Sequence, residues 1–130
     1  SGVTKNGWEV SRELVAIQGM VYSGQLWVSD GAGQEWQYNV QRCTREQGVL
    51  RLDYSGARLG APFTGSAELE QSGSDELSGR DTFLYDGYEE PSIGTLTLKA
   101  SFVDGFLSLE GAWVGEGKSY SVEGDLEPIV

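Results

Sequence analysis

The chain has 130 residues, and its 9 Lys and Arg against 20 Asp and Glu give a formal net charge of -11. The absence of histidine excludes Ser-His and Cys-His catalytic pairs and histidine zinc sites, and the negative charge argues against binding a long nucleic-acid backbone or an anionic membrane. No run of about 18 apolar residues is present, so no transmembrane helix is predicted. This length predicts one domain over residues 1–130.

The N-terminal segment has mixed signals. Because the chain begins with Ser rather than Met, Ser1-Gly2 is interpreted as a cloning remnant or a cut point, and the natural chain is expected to extend further. Glu9 to Ile17 has apolar residues three to four apart, but several are β-branched, so a helix and a strand are equally compatible. The run from Leu14 to Asp30 is predicted to be a long strand or a hairpin, bent at two glycines, Gly19 and Gly24.

Apolar and polar residues then alternate along most of the chain, which is typical of β-strands with one buried face. Between Gln34 and Arg42, Trp36, Tyr38 and Val40 share one face. Four further strands are predicted from the same alternation, with inward residues Leu50, Leu52 and Tyr54; Leu96 and Leu98; Leu107, Leu109 and Trp113; and Tyr120, Val122 and Gly124.

Glycine-containing turns separate these strands, and they are predicted at Asp30–Gly33, Glu46–Gly48, Ser72–Ser74, Asp104-Gly105 and Gly115–Lys118. Asp104-Gly105 is typical of a two-residue type I′ hairpin turn. Gly115–Ser119 superficially resembles a phosphate-binding loop, but the residues that follow have a strand pattern rather than a helical one, so a hairpin is predicted.

About eight strands joined by short turns predict an all-β fold, a closed or nearly closed antiparallel β-barrel, with a β-sandwich as the alternative. Gly makes up 19 of the 130 residues, and glycines inside strands favour a strongly coiled small barrel because they permit tight corners. These strand glycines are Gly19, Gly24, Gly65, Gly79, Gly94, Gly111 and Gly124.

No residue set predicts catalysis. The acidic stretch from Asp75 to Glu90 is interpreted as a solvated surface, because sequence spacing does not establish a paired-carboxylate site and the spacing of a calcium-binding EF-hand is absent. Cys43 is the only cysteine, so no disulfide within the chain is possible and a reducing, cytoplasmic location is favoured. The chain is predicted to be non-enzymatic, without a cofactor or a bound metal.

Aromatic residues near strand ends and in loops are the candidate ligand-binding surface. Trp36 and Tyr38 share the inward face of a predicted strand, and Tyr85 and Tyr88 lie in Phe83–Pro91, the longest stretch with loop character. Aromatic side chains at a barrel mouth can stack against a flat ligand, and loops on a rigid scaffold often carry binding residues.

Two arginines are the candidate anion-binding residues. Arg42 continues the face of Trp36 and Tyr38 toward the strand end, and Arg80 precedes the aromatic loop. An arginine can hold a phosphate or a carboxylate with two hydrogen bonds even in an acidic protein. The alternative for each is an ion pair with a surface carboxylate.

The C-terminal half resembles a known type of barrel. Ile93–Leu98, Gly105–Trp113 and Gly124–Leu126 form a Gly-Thr strand, a Leu-x-Gly-x-aromatic strand and a closing strand. This ending resembles calycin-like barrels and is similar to the β-barrel of SMODS-associated effectors with two transmembrane helices, from bacterial cyclic-oligonucleotide antiphage defence; Ile17–Gly24 matches their first strand. The resemblance implies a barrel that binds a cyclic nucleotide and is tethered to the inner membrane by a further segment.

The predicted function is therefore non-enzymatic ligand binding, with a cyclic nucleotide second messenger as the specific ligand. The alternative is an acidic protein-interaction or inhibitor module that binds a basic protein partner, because a net charge of -11 would steer its encounter with a cationic surface.

Overall fold

The computed structural model describes residues 20–129, which form a closed antiparallel β-barrel of eight strands. Each strand pairs with its neighbours in sequence, and the last strand pairs with the first, so the barrel prediction is confirmed and the sandwich alternative is wrong. Within residues 20–129 there is no helix long and apolar enough to cross a membrane. The strands are β1 Val21–Ser29, β2 Glu35–Glu46, β3 Val49–Arg58, β4 Ala61–Gln71, β5 Glu76–Tyr85, β6 Ser92–Val103, β7 Phe106–Gly115 and β8 Lys118–Pro128.

The predicted turns account for the simple up-and-down order. Asp104 and Gly105 have φ of 52° and 86°, as a type I′ turn between β6 and β7 requires. Two-residue turns in which both residues have positive φ also join β2 to β3, β3 to β4 and β7 to β8. The predicted helix or strand from Glu9 to Ile17 lies outside the described residues. The irregularity predicted at Gly24 coincides with a register shift in β1.

Inward side chains divide the barrel interior into two halves of different chemistry. One half lies toward the β2–β3, β4–β5 and β6–β7 turns and is mainly aliphatic, with one aromatic pair, Tyr22 and Phe102. Its fully buried residues include Leu50, Leu69, Leu77, Leu98, Leu107 and Leu126. The other half lies toward the four remaining turns and contains Trp36, Tyr38, Tyr54, Phe63, Phe83, Tyr85, Trp113 and Tyr120. We call this second half the aromatic end.

A β-bulge in β2 changes which side chains face inward. Against β3, Val40 pairs with Tyr54 but Arg42 pairs with the next residue, Asp53, so Gln41 is the extra residue. The bulge shifts the alternation by one position, which buries Cys43 inside and leaves Arg42 exposed outside. The prediction that Arg42 continues the inward face is therefore wrong.

Strand glycines permit the close strand contacts of this small barrel, as predicted. A Cβ atom added at Gly79 would overlap the backbone carbonyl of Glu68, and one added at Gly111 would overlap that of Thr97. A side chain at either position would force neighbouring strands apart, because backbone atoms cannot move aside as a flexible side chain can.

Candidate ligand-binding site

The aromatic end contains a continuous series of ring contacts from the core to the rim. Tyr38 and Phe63 have ring centroids 4.8 Å apart, Phe63 and Tyr85 5.5 Å, and Tyr85 and Tyr88 6.0 Å. Tyr38 is buried, whereas Tyr88 is 69% exposed on the loop after β5. The structure thus brings Tyr38, Tyr85 and Tyr88, three of the four predicted aromatic residues, into one connected surface.

The fourth predicted aromatic residue, Trp36, stacks with a cation. The guanidinium carbon of Arg58 lies 4.0 Å from the centroid of the Trp36 ring and 4.9 Å from that of Tyr120. Such contacts restrict the arginine and keep its hydrogen-bond donors in one arrangement. The Arg58 guanidinium forms no salt bridge with a carboxylate of residues 20–129.

Sequence reasoning missed Arg58. Leu50, Leu52 and Tyr54 were the inward residues predicted on this strand, and two further steps of the same alternation place Arg58 inside at the strand end. The signal was therefore present, because β3 continues without a bulge to the turn at Leu59.

The two arginines predicted for the site do not reach it. Arg80 is exposed on the outer face of β5, where its neighbours across the sheet are Glu68 and Thr95. The alternation of β5 turns Asp81 and the later aromatic residues inward and therefore turns Arg80 outward. Arg42 lies on the outer face because of the bulge in β2.

Two adjoining recesses open at the aromatic end. The inner cavity has a volume of about 50 Å³ and is lined mainly by aromatic rings together with Asp81. The outer groove follows the rim between Trp36, Tyr85, Tyr88 and Lys118, and Arg58 and Tyr120 line both recesses. One water needs about 10–15 Å³ of such cavity space, so the inner cavity accepts a few waters or a small head group. A flat ring must lie in the outer groove.

Asp81 is the buried charge of the inner cavity. Its side chain is 3% exposed, and the Tyr54 hydroxyl donates a hydrogen bond of 2.6 Å to Oδ2. Burial raises the pKa of Asp81 to about 6, although the Tyr54 hydroxyl, the Trp113 indole N–H and the Thr82 backbone N–H each lower it. The interpretation of the acidic stretch from Asp75 to Glu90 as a solvated surface is therefore wrong at Asp81. The alternation of β5 places this side chain inside the barrel.

Asp81 Oδ1 and Trp113 Nε1 are both buried and have no hydrogen-bond partner among the described residues. The indole N–H lies near enough to the carboxylate to lower its pKa, but its distance and angles do not form a hydrogen bond. The cavity floor therefore presents one free acceptor and one free donor.

Two glycines allow aromatic rings to approach Asp81 from both sides. Gly65 of β4 lies beside Tyr54, and an added Cβ there would overlap the tyrosine ring. Gly94 of β6 lies beside Asp81, and an added Cβ there would overlap the Trp113 ring. Each ring thus extends across an intervening strand toward the carboxylate on β5.

The inner cavity contains two charged side chains among the described residues, Asp81 and Arg58. Asp81 is the one carboxylate among the described residues that line the inner cavity, so the paired carboxylates of a glycosidase are not found there. Within residues 20–129 no group of three or more His, Cys, Asp or Glu is placed to hold a metal ion. The site offers aromatic faces, one buried carboxylate and a guanidinium that has no carboxylate partner within residues 20–129.

Comparison with known proteins supplies no further identification. No protein-family model matches the chain, and no curated protein matches it significantly. The structure shows a small closed barrel, and neither comparison supports the resemblance to calycin-like proteins or to the antiphage effectors.

Proposed function

We propose that this protein is a non-enzymatic ligand-binding β-barrel that binds a nucleotide at its aromatic end, with a cyclic oligonucleotide as the specific candidate. The observation that carries the proposal is Arg58, which is held against Trp36 and Tyr120 without a carboxylate partner among the described residues. A nucleotide combines an anionic phosphate for such a guanidinium with a flat base for neighbouring rings.

Tyr85 and Tyr88 are the proposed base-stacking residues. Tyr88 is 69% exposed, and both side chains line the outer groove that Arg58 also lines. Stacking of a base on an aromatic side chain contributes about 1–3 kcal/mol, and the guanidinium would add two parallel hydrogen bonds to a phosphate. The flat base would lie in the groove because the inner cavity is too small for it.

Charges along the outer groove favour a compact ligand over a long polyanion. Arg58 and Lys118 line the groove together with Asp30 and Glu90, so the local charge is balanced although the chain as a whole carries -11. A long nucleic acid would extend beyond these two cations onto acidic surface, where like charges repel it.

The resemblance of the C-terminal strands to the barrels of cyclic-oligonucleotide antiphage effectors also supports the cyclic ligand. Under this proposal the barrel acts on the cytoplasmic side of the inner membrane, where a bacterial second messenger would reach it. The barrel would be tethered there by a further segment of the full-length chain.

A thermal-shift screen of mononucleotides and cyclic di- and trinucleotides tests the proposal. A ligand present at 100 times its Kd adds about 2.7 kcal/mol to the free energy of unfolding, which raises Tm by several degrees. Arg58→Ala is expected to abolish the shift and Tyr88→Ala to reduce it, whereas the outer-face variants Arg42→Ala and Arg80→Ala are matched controls that retain it. A flat screen of folded protein, or equal losses in the control variants, would overturn the proposal.

The second candidate function is an acidic module that binds a basic protein. Glu110 and Glu123 are direct neighbours across β7 and β8, and Asp125 is exposed two residues further along β8. Like charges placed opposite each other destabilise a sheet, although Lys99 beside Glu110 offsets part of this repulsion. Binding to poly-lysine should weaken from low to physiological salt and in Glu123→Gln. Binding that is independent of salt would contradict this candidate.

A further inference from the structure

The floor of the inner cavity carries a polar pair that nucleotide binding at the rim does not use. Asp81 Oδ1 and Trp113 Nε1 are buried there without hydrogen-bond partners among the described residues. Leaving such a group unsatisfied costs about 1–3 kcal/mol, and more for a charged group. Native proteins keep few groups in this state, and those that remain call for an occupant or a function.

We propose that the inner cavity binds the primary ammonium group of a small amine, with Asp81 as its counter-ion. Asp81, which would hold the ammonium, lines the inner cavity and not the outer groove, and the proposal does not depend on nucleotide binding. The ammonium would donate to Asp81 Oδ1, while Oδ2 continues to accept the hydrogen bond from Tyr54.

An ammonium supplies the charge opposite to Asp81 that a neutral group lacks, although it does not accept a hydrogen bond from the Trp113 indole N–H. Among the described residues, Arg58 is the one cation on the lining, and it forms no salt bridge with Asp81. A buried carboxylate near neutral donors and without a cation partner is a poorly compensated charge, and an ammonium would supply both opposite charge and donors. The faces of Phe63 and Phe83 on the same lining would also attract the ammonium.

The size of the cavity selects among amines. A volume of about 50 Å³ accommodates an aminomethyl head group, which is about as large as one or two waters. A quaternary ammonium is bulkier and has no N–H to donate to Asp81. The body of the amine would extend toward the outer groove, whose aromatic side chains Tyr85 and Tyr88 would contact it.

Calorimetric titration with 2-phenylethylamine at pH 7.5 tests this proposal, with 2-phenylethanol as the uncharged probe of similar shape. The amine should bind to the wild-type protein and the alcohol should bind much more weakly. Asp81→Asn keeps the side-chain shape and removes the charge, so the affinity for the amine should fall about tenfold or more. Tyr22→Phe is the matched control and should retain binding, because the Tyr22 hydroxyl contacts Met20 and does not line the cavity.

Arg58→Ala separates this proposal from nucleotide binding, because loss of a cation from the shared lining should abolish the nucleotide response and should not weaken binding of the cationic amine. Circular dichroism of each variant establishes that it is folded. No detectable binding of the amine by the wild-type protein would overturn the proposal. So would equal affinity for the alcohol, which would assign the cavity to a hydroxyl or a water, or an unchanged affinity in folded Asp81→Asn.

Discussion

The Tyr54 hydroxyl donates a hydrogen bond of 2.6 Å to Asp81 Oδ2 inside the barrel, although the two residues are 27 positions apart in sequence. Tyr54 belongs to β3 and Asp81 to β5, and Gly65 on the intervening β4 leaves room for the tyrosine ring. Burial and the nearby carboxylate both raise the pKa of Tyr54. Tyr54 therefore stays a neutral donor at physiological pH, and Asp81 is the group of this pair that can change charge.

Asp81→Asn is expected to stabilise the fold at neutral pH. The pKa of Asp81 rises from 3.8 to about 6 on folding, so between these values the native state holds a proton that the unfolded state has released. Stability falls as pH rises through this window, and the full cost of about 3 kcal/mol applies above it. Asparagine does not titrate and avoids this cost.

Urea denaturation of the wild type and Asp81→Asn from pH 3.5 to 7.5 measures this effect. The stability advantage of the variant should grow as pH rises through the window and then level off. The difference between the two proteins is the informative quantity, because the exposed carboxylates titrate in both. A difference that does not change with pH would show that Asp81 is not the buried titrating group.

Tyr54→Phe is expected to raise the pKa of Asp81 above its value of about 6 in the wild-type protein. The hydrogen bond from the Tyr54 hydroxyl favours the charged carboxylate and so lowers the pKa of Asp81. Without it, the effect of burial, which raises this pKa, is offset less. A carbon-13 NMR titration of the Asp81 carboxyl group measures the shift. Tyr22→Phe is the matched control, since the Tyr22 hydroxyl contacts Met20 and not the carboxylate. A similar shift in both variants would contradict this account.

Gly94→Ala is expected to lower the free energy of unfolding by about 1–3 kcal/mol, the usual cost of overpacking a core. The added methyl group would overlap the Trp113 indole and force it away from Asp81. Gly73→Ala is the control with the same substitution, because its Cβ would come no closer than 3.3 Å to a neighbouring side-chain atom, Glu76 Cβ. Urea denaturation should therefore separate the two variants, and equal stability would show that Gly94 is not needed for close packing.

Cys43 is expected to resist thiol reagents in the folded protein. Its side chain is 0% exposed, and burial, with a smaller effect of Asp53, raises its pKa to about 12. The reactive thiolate is therefore almost absent at neutral pH, and the reagent has no access to it. Labelling with a colorimetric disulfide reagent should be slow in buffer and fast in denaturing urea. Fast labelling of the native protein would contradict the burial of Cys43 in β2.

Sequence reasoning identified the fold because its signals are local. Alternation in segments such as Val49–Tyr54 follows from the two faces of a strand, and the type I′ turn at Asp104-Gly105 follows from the φ angles that those residues tolerate. The same reasoning placed four aromatic residues at the site, because each lies on an inward face or in the loop after β5. It went wrong at Arg42, where a bulge of one residue reverses the faces of β2 without a clear mark in the sequence.

The sequence by itself determined the strand class, the short turns, the excess negative charge and the absence of histidine. Only the tertiary structure decided that Arg58 stacks on Trp36 and that Tyr54 and Trp113 extend over glycines toward Asp81. Those relationships join residues on different strands. They depend on strand register and on barrel closure, and both are determined by contacts over the whole sheet. The buried charge of Asp81 is likewise a property of the closed barrel, because a single strand in water would leave that carboxylate solvated.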